Sequence, residues 1–315
     1  MMNISNLNEL LNTQITNKGS VSSVGGFALE LKELKHGYAF FCQNEEDLDK
    51  ALQQGAFAII SEKELAVKDK EVFYLKSKNL KNSLTRLLRF ISEEKELCFL
   101  KLDTESLNFS KAFSLQKLQG DVCLDFNLLL KAKQKAIFCY DEESYLLQLG
   151  AYYERLPSSC FEILNHSSLF FTNLLCENSY FKNLHLPFIY AEIFAHFVAF
   201  FEQKKMPLHF DSNKLDFFNV CFINGKMELT EFGKSSRAFI IVFKENDFLY
   251  WQKACHDIKG FKSAKKNSLS CDFSYQTLND LRKLKDFRYL LILLENREEF
   301  FNEFSAQQKE FSLFK

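Results

Sequence analysis

The stretch from Gly25 to Ser61, GFALELKELKHGYAFFCQNEEDLDKALQQGAFAIIS, restricts the folds open to this chain more than any other. A charged segment leads into a Lys35-His36-Gly37 turn, and a short apolar strand follows over Tyr38 to Cys42. An acid-led helix then runs from Asn44 to Gln54, and Gly55 introduces a second apolar strand over Ala56 to Ile60. Strand, helix and strand in that order, with short connections, make one closed α/β pattern. Val72 to Leu75 adds another short strand, and a helix from about Asn79 to Glu94 carries Leu84, Leu87, Leu88 and Ile91 on one face. Ahead of all this, residues 6–14 read as a short helix and Gly19 to Gly26 as a turn segment rich in Gly and Ser. A small α/β domain is therefore expected over residues 1–95.

Cys98 to Leu102 is the next strand, and residues 121–140 alternate apolar and polar positions before a strand at Ala136 to Tyr140. A helix is expected over 143–156 and several short strands over 159–186, with turns at Asn165-His166 and Glu177-Asn178. Leu186-Pro187 then introduces a strong helix from Phe188 to Lys205, the proline sitting where a missing N–H does no harm. Beyond Phe232 come a strand (Ala238 to Phe243), two helices (Asp247 to His256, Thr277 to Lys285), a strand (Tyr289 to Leu294) and a last helix (Asn296 to Phe304). Strands alternating with helices imply a parallel sheet covered on both faces. The expected division is 1–95, 96–231 and 232–315, all α/β.

With 47% apolar and 26% charged residues over 315 positions, the chain can bury a proper core and is not disordered. Forty Lys and Arg balance 41 Asp and Glu, so no general attraction to nucleic acid or anionic lipid is expected. The many Phe residues are interrupted by acids where they cluster, which suits packing better than base stacking. The start of the chain shows no basic region followed by an apolar one, and no run of 18 apolar residues occurs, so a cytoplasmic protein without a membrane span is expected. Nine scattered cysteines without C-x-x-C spacing argue for buried thiols, and no metal site is expected.

The order of elements from Gly25 to Ser61, with its Lys35-His36-Gly37-Tyr38 turn, resembles the N-terminal domain of the Mur ligases. These are ATP-dependent enzymes that add amino acids to UDP-N-acetylmuramic acid in peptidoglycan synthesis, and the likeness is nearest to the member that adds D-alanyl-D-alanine. Leu186-Pro187 before a helix is similar to the family's Leu-Pro-Gly-x-His-Asn position, although Phe188, Ile189 and Tyr190 replace its polar residues. The resemblance implies a small N-terminal domain, a reduced central domain and a small, Rossmann-like C-terminal one. It also implies a nucleotide-sugar contact on the first domain: Glu30, Leu31 and Lys32 match the family's Asp-Ser-Arg, and Lys35, His36 and Tyr38 match its Lys-x-Gly-Asp turn. Leu31 lacks the hydroxyl, Lys32 lacks the forked geometry of Arg, and Tyr38 replaces Asp.

ATP chemistry needs glycines that let backbone N–H groups approach phosphate, a Lys, and a Ser or Thr for Mg²⁺. Where the family has that loop, this chain reads LDTESLNFSK from Leu102 to Lys111, without glycine and with Asp103 and Glu105 set against phosphate. Asp103 or Ser106 is expected to serve as a structural turn or N-cap residue instead. The lone Gly233-Lys234-Ser235 has no glycine at the required earlier position and precedes its strand, so it reads as a solvated turn. His196 reads as a helix-face residue, and Cys255-His256-Asp257 are sequence neighbours rather than a catalytic constellation. The expectation is a non-catalytic protein, without cofactor, catalytic or metal residues. It would bind a partner or a UDP-muramoyl precursor in cytoplasmic cell-wall synthesis through Glu30, Lys32, Lys35, His36 and Tyr38. The alternatives are a working ligase or other enzyme with an unrecognised site, and an interaction protein unrelated to the cell wall.

Overall fold

The structure, a computed structural model, describes residues 1–165, 169–268 and 270–305. These form two compact units, Met1–Ser110 with Ser114–Leu156, and Lys111–Phe113 with Pro157 onward.

The first unit opens with β1 (Met2–Asn3) and α1 (Ile4–Leu11), whose N-cap Asn3 accepts from the Ser5 N–H. There follow β2 (Thr13–Asn17), β3 (Ser23–Val24), β4 (Gly26–Ala28), β5 (Tyr38–Phe41), α2 (Leu48–Gln53), β6 (Ala58–Ser61), β7 (Phe73–Ser77) and α3 (Leu80–Glu94). Strands β5 and β6 are parallel neighbours in one five-stranded sheet of order β2-β7-β6-β5-β4, in which β2 alone runs antiparallel. Gly26, expected in a turn, is the first residue of β4 and lies level with Tyr38. A Cβ there would come within 2.6 Å of the Tyr38 ring, so a larger residue would have to displace that ring.

Alternation along the strands sends Phe27, Ala39, Phe41, Ala58, Ile60 and Leu75 to the face covered by α1 and α3. Ala28, Phe40, Cys42, Ile59 and Tyr74 go to the other face, under Leu34, Leu48 and Ala51. The helix α3 is capped by Asn79, which accepts from the Asn82 N–H, and buries Leu80, Leu84, Leu87, Leu88 and Ile91. Each such side chain contributes about 1.5–3 kcal/mol when removed from water.

A second sheet follows, of order β11-β8-β10-β9 and wholly parallel: β8 (Cys98–Lys101), α4 (Thr104–Phe109), β9 (Gln116–Lys117), α5 (Val122–Leu130), β10 (Ile137–Tyr140), α6 (Glu143–Leu149) and β11 (Glu154–Arg155). Residues 122–130, within the alternating stretch where the pattern assigns no element, are helical, and Asp121 caps them, accepting from the N–H groups of Cys123 and Leu124. The helix expected over 143–156 stops at Leu149, where Gly150 takes an extended conformation. Phe99, Phe126, Phe138 and Leu146 share one continuous core with α3, Ile4 and Leu7. Thus α3 serves both sheets.

The second unit contains an antiparallel meander, β12 (Phe161–Asn165), β13 (Thr172–Cys176) and β14 (Ser179–Leu184), with α7 (Ala191–Gln203) against it. Phe113 stacks on Phe197 of α7, with ring centroids 4.3 Å apart. The expected turn at Asn165-His166 extends outside the described residues. Next come β15 (Phe218–Ile223), β16 (Arg237–Val242), α8 (Glu245–Cys255), β17 (Phe261–Lys266), β18 (Phe273–Tyr275), β19 (Tyr289–Leu293) and α9 (Arg297–Phe304). Their sheet, β15-β16-β19-β17-β18, is parallel except for β15, which pairs antiparallel along six residues. The helix expected over Thr277 to Lys285 is a 3-10 segment over Leu278–Lys283, held at its start by a capping box between Thr277 and Asp280. Phe300 and Phe304 of α9 pack on Phe239.

Among the described residues no helix is long and apolar enough to cross a membrane.

Candidate functional site

Parallel strands deliver their following residues to one edge of a sheet, and in open α/β sheets ligands bind outside that carboxyl edge. In the first sheet Cys42, Gln43 and Glu45 leave β5 there, and Ser61, Glu62 and Lys63 leave β6. With Leu80 and Lys81 of α3 and Cys123 of α5, these residues line a cavity of about 250 Å³. Ligand pockets usually measure about 300–1,000 Å³, so this one has room for a ring-sized group and not for a whole nucleotide sugar.

Its chemistry is mixed. The Lys81 ammonium lies 2.7 Å from an Asp121 carboxylate oxygen, and that contact above all holds Asp121 below its usual carboxylate range. Glu62 Oε1 accepts from the Leu80 N–H at 2.6 Å, and Asn79 Oδ1 accepts from Asn82. Protein side chains therefore already occupy donors at the amino end of α3, where an anion would otherwise be drawn. Burial pushes the Cys42 thiol up to about 11, with Asp47 and Glu45 adding to the effect, so it lines the cavity as a neutral group. Gln43 points its amide toward Cys123 Sγ at 3.8 Å.

The residues expected from sequence fall into two groups. Glu30 and Lys32 lie in the connection leaving the carboxyl end of β4, exposed and paired with each other at 2.5 Å. Lys35, His36 and Tyr38 lie at the amino end of β5, four residues before Cys42 and so about 13 Å along the strand from the cavity edge. His36 covers Gly55, whose φ is +79°, and meets the Phe57 ring edge-on at 5.0 Å. Tyr38 lies over Gly26. The rings of His36 and Tyr38 thus pack on their neighbours, Tyr38 half-buried and His36 still exposed, as are Lys35 and Lys32. The cavity residues Gln43, Ser61 and Lys81 went unnoticed in the sequence. The rule that ligands sit beyond strand ends would have picked out the first two, but Lys81 depends on how α3 is placed.

The carboxyl end of β8 is built differently. Leu102 extends the ladder through its N–H to Tyr140 O, and the chain turns at once into α4. Asp103 caps that helix, its Oδ1 accepting from the Ser106 N–H at 2.7 Å. Ser106, Leu107 and Phe109 are buried. Beyond Leu118, the N–H groups of Gln119 and Gly120 donate to the Asp125 carboxylate, which also accepts from the Tyr145 hydroxyl at 2.7 Å. Asp125 is fully buried, and burial together with this carboxylate drives the Tyr145 hydroxyl far above its ordinary range. Lys111, in the second unit, pairs with Asp216 at 2.6 Å.

The Gly233-Lys234-Ser235 sequence forms an exposed turn ahead of β16, with Gly233 at φ +77° and Ser235 Oγ accepting from the Arg237 N–H. His185 stacks on Phe171 at 5.2 Å, and burial lowers its pKa. His256 sits on the surface beside Asp257. Among the described residues no group of three or more His, Cys, Asp or Glu is placed to hold a metal ion.

No protein-family model matches the sequence, and no curated protein does. Solved structures do match. The MurF ligase of Thermotoga maritima in complex with ADP superposes with a TM-score of 0.52 at 11% identity, covering 94% of this chain and 98% of that one. MurF from Acinetobacter baumannii superposes with a TM-score of 0.54 at 9% identity, over 96% of this chain and 97% of that one. A structure of UDP-N-acetylmuramoylalanyl-D-glutamyl-2,6-diaminopimelate–D-alanyl-D-alanyl ligase from the same organism gives 0.51 at 9% identity, over 96% and 97%. The fold is that of the Mur ligases, as the Gly25 to Ser61 stretch led us to expect.

Proposed function

We propose that this chain is a non-catalytic protein on a Mur-ligase fold that binds a UDP-muramoyl precursor, or a partner handling it, in the cytoplasmic stage of peptidoglycan synthesis. The observation that carries the non-catalytic part is α4. A capped helix with buried Ser106, Leu107 and Phe109 follows β8 directly, and an acidic cap occupies the place where a phosphate-binding loop would need glycine. Binding is supported by the cavity beyond β5 and β6, whose Gln43, Ser61, Lys63 and Lys81 could fix one ring and one negative charge of a longer ligand that lies mostly outside it. Glu30 and Lys32 lie off the same edge of the sheet, and we assign them to the outer part of that contact.

Titration calorimetry tests both halves. UDP-N-acetylmuramoyl peptide should bind, and Gln43→Ala or Lys81→Ala should weaken it more than Lys35→Ala. At 100 times its dissociation constant such a ligand stabilises the fold by about 2.7 kcal/mol, which a thermal melt will register. ATP with Mg²⁺ should give neither heat nor hydrolysis. The extent of the superposition, nearly end to end, favours a second reading: an ATP-dependent ligase with an unrecognised nucleotide site. ATP turnover abolished by Lys111→Ala or Lys234→Ala would establish that reading and remove the first.

A further inference from the structure

The meander β12-β13-β14 has one face on α7 and one in solvent. The inward row is clear: Leu174 and Cys176 are buried, and Phe181 meets Phe194 of α7 at 5.0 Å. Strand alternation therefore turns Glu162, Leu175, Tyr180 and Lys182 outward. The register makes Glu162, Leu175 and Tyr180 direct cross-strand neighbours, one from each strand. Leu164, at the bulge in β12, lies beside them. Leu164, Leu175 and Tyr180 are 47%, 37% and 54% exposed, which leaves a contiguous apolar strip on an open sheet instead of the polar side chains such a face normally carries.

The charges on this strip are arranged in a particular way. Glu162 stands on one outer strand and Lys182 on the other, at opposite ends of a diagonal across the face, with the apolar residues between them. Among the described residues neither makes an ion pair. A two-fold axis lying in the face, at right angles to that diagonal, would set Glu162 of each copy against Lys182 of the other. The same operation brings Leu175 and Tyr180 together across the centre, with the strands of the two sheets crossing at a large angle, as in orthogonal sheet packing. A surface that is complementary to itself under a two-fold is what an isologous contact requires.

The geometry points to a second copy of this chain as the occupant: the outer face of β12-β13-β14 is a self-association surface. Three strands about 4.8 Å apart and about five residues long present roughly 230 Å². Standard interfaces bury about 800 Å² per partner, so the association is weak and concentration-dependent.

Sedimentation equilibrium of the full chain, from about 10 µM to about 1 mM, tests this. The wild type should move toward twice the monomer mass at the upper end. Glu162→Lys alone and Lys182→Glu alone should each stay monomeric, since each sets like charges opposite one another. An equimolar mixture of these two variants should recover association, because every 162–182 contact then joins opposite charges again. Leu175→Glu should abolish association at all concentrations. Circular dichroism melts should show all variants folded, as exposed substitutions change stability by only about 0.5 kcal/mol. A wild type that remains monomeric at 1 mM overturns the proposal. So does a single reversal that associates like the wild type, or a folded mixture that fails to recover.

Discussion

Two sheets in the first unit, one wholly parallel and one parallel but for β2, share α3, and the chain leaves their carboxyl ends differently. Beyond β5 and β6 the connections stay polar and apart, and Gln43, Ser61 and Lys81 surround open space. Beyond β8 the chain closes immediately into α4, and the connection after β9 is pinned to Asp125 by two backbone donors, while the Tyr145 hydroxyl of α6 donates to the same carboxylate. The scaffold is the same kind at both places, parallel strands with helices packed against them. What differs is how much is spent on capping and burial. At the open end Glu62 satisfies the Leu80 N–H and Ser61 is buried, but Gln43, Lys63 and Lys81 stay exposed. After β8, Asp103 caps and Ser106, Leu107 and Phe109 are buried. The strands and α3 supply the core whatever the loops do, so the fold by itself fixes the use of neither end.

The largest test falls on the closed end. Asp125→Ala strands three donors, those of Gln119, Gly120 and Tyr145, in a buried place. Each such loss costs about 1–3 kcal/mol, and water entering the gap recovers part, so urea denaturation should show a loss of about 4 kcal/mol. A cost below about 1 kcal/mol would mean that the second connection is not held by Asp125, and the contrast between the two ends would disappear.

The shared helix comes next. Leu87 is fully buried in the core that joins both sheets, so Leu87→Ala should cost about 2–5 kcal/mol. Tryptic protection of sites before and after residue 95 should fall together. Separate loss, with one half protected after the other has gone, would favour the proposed division into domains at 95 over a single cooperative unit.

Much of this unit was legible in the sequence. Apolar runs at Tyr38 to Cys42 and Ala56 to Ile60 gave β5 and β6, and the face of Leu84, Leu87, Leu88 and Ile91 gave α3, though not its cap at Asn79. The helix at 122–130 was not assigned, because Val-Cys-Leu-Asp-Phe is apolar on nearly every side and its helical nature rests on one capping aspartate. The strand β15 was missed, since Phe218 to Ile223 borrows its order from pairing with β16, a long-range cause invisible to local pattern. As for the site, Lys35-His36-Gly37-Tyr38 stood out as a motif. Local sequence did not reveal that His36 and Tyr38 spend their rings on Gly55 and Gly26. Nor could it bring Lys81 and Cys123, far apart in the chain, to the edge reached by Gln43.

A smaller effect is expected at Asp103. Its side chain satisfies one N–H of a short helix, so Asp103→Ala should lower stability by about 1 kcal/mol, within a range of about 0.5–2, in the same urea assay. Asp103→Asn should recover most of that, because asparagine caps as well. The sharper use of this pair is to measure ATP binding alongside. If the closed end is only a filled scaffold, removing the acidic cap will not produce ATP affinity, whereas affinity appearing in Asp103→Ala would mean that charge alone had been masking a nucleotide site.

The smallest effect belongs to the open end, at Lys81 and Asp121. Asp121 has its folded pKa held below the ordinary carboxylate value, first by Lys81 and then by the N–H groups of Cys123 and Leu124, against the opposing effect of partial burial. A carboxyl with a depressed folded pKa contributes stability that is present above the unfolded pKa, near 4, and is lost as pH falls through the folded value. Lys81→Ala removes the leading cause, so the variant should be slightly less stable than wild type at neutral pH, in a way that weakens with added salt. As the pH drops through the acid range the two proteins should converge, because protonated Asp121 gains nothing from a neighbouring ammonium. A difference that stays constant down to the most acidic point would show that Lys81 acts through its aliphatic stem and not its charge. The same variant read by calorimetry separates the two ends of the unit: a loss of precursor binding with so small a change in stability would identify Lys81 as part of an open binding edge, while unchanged binding would reduce the pair to a clasp between α3 and α5.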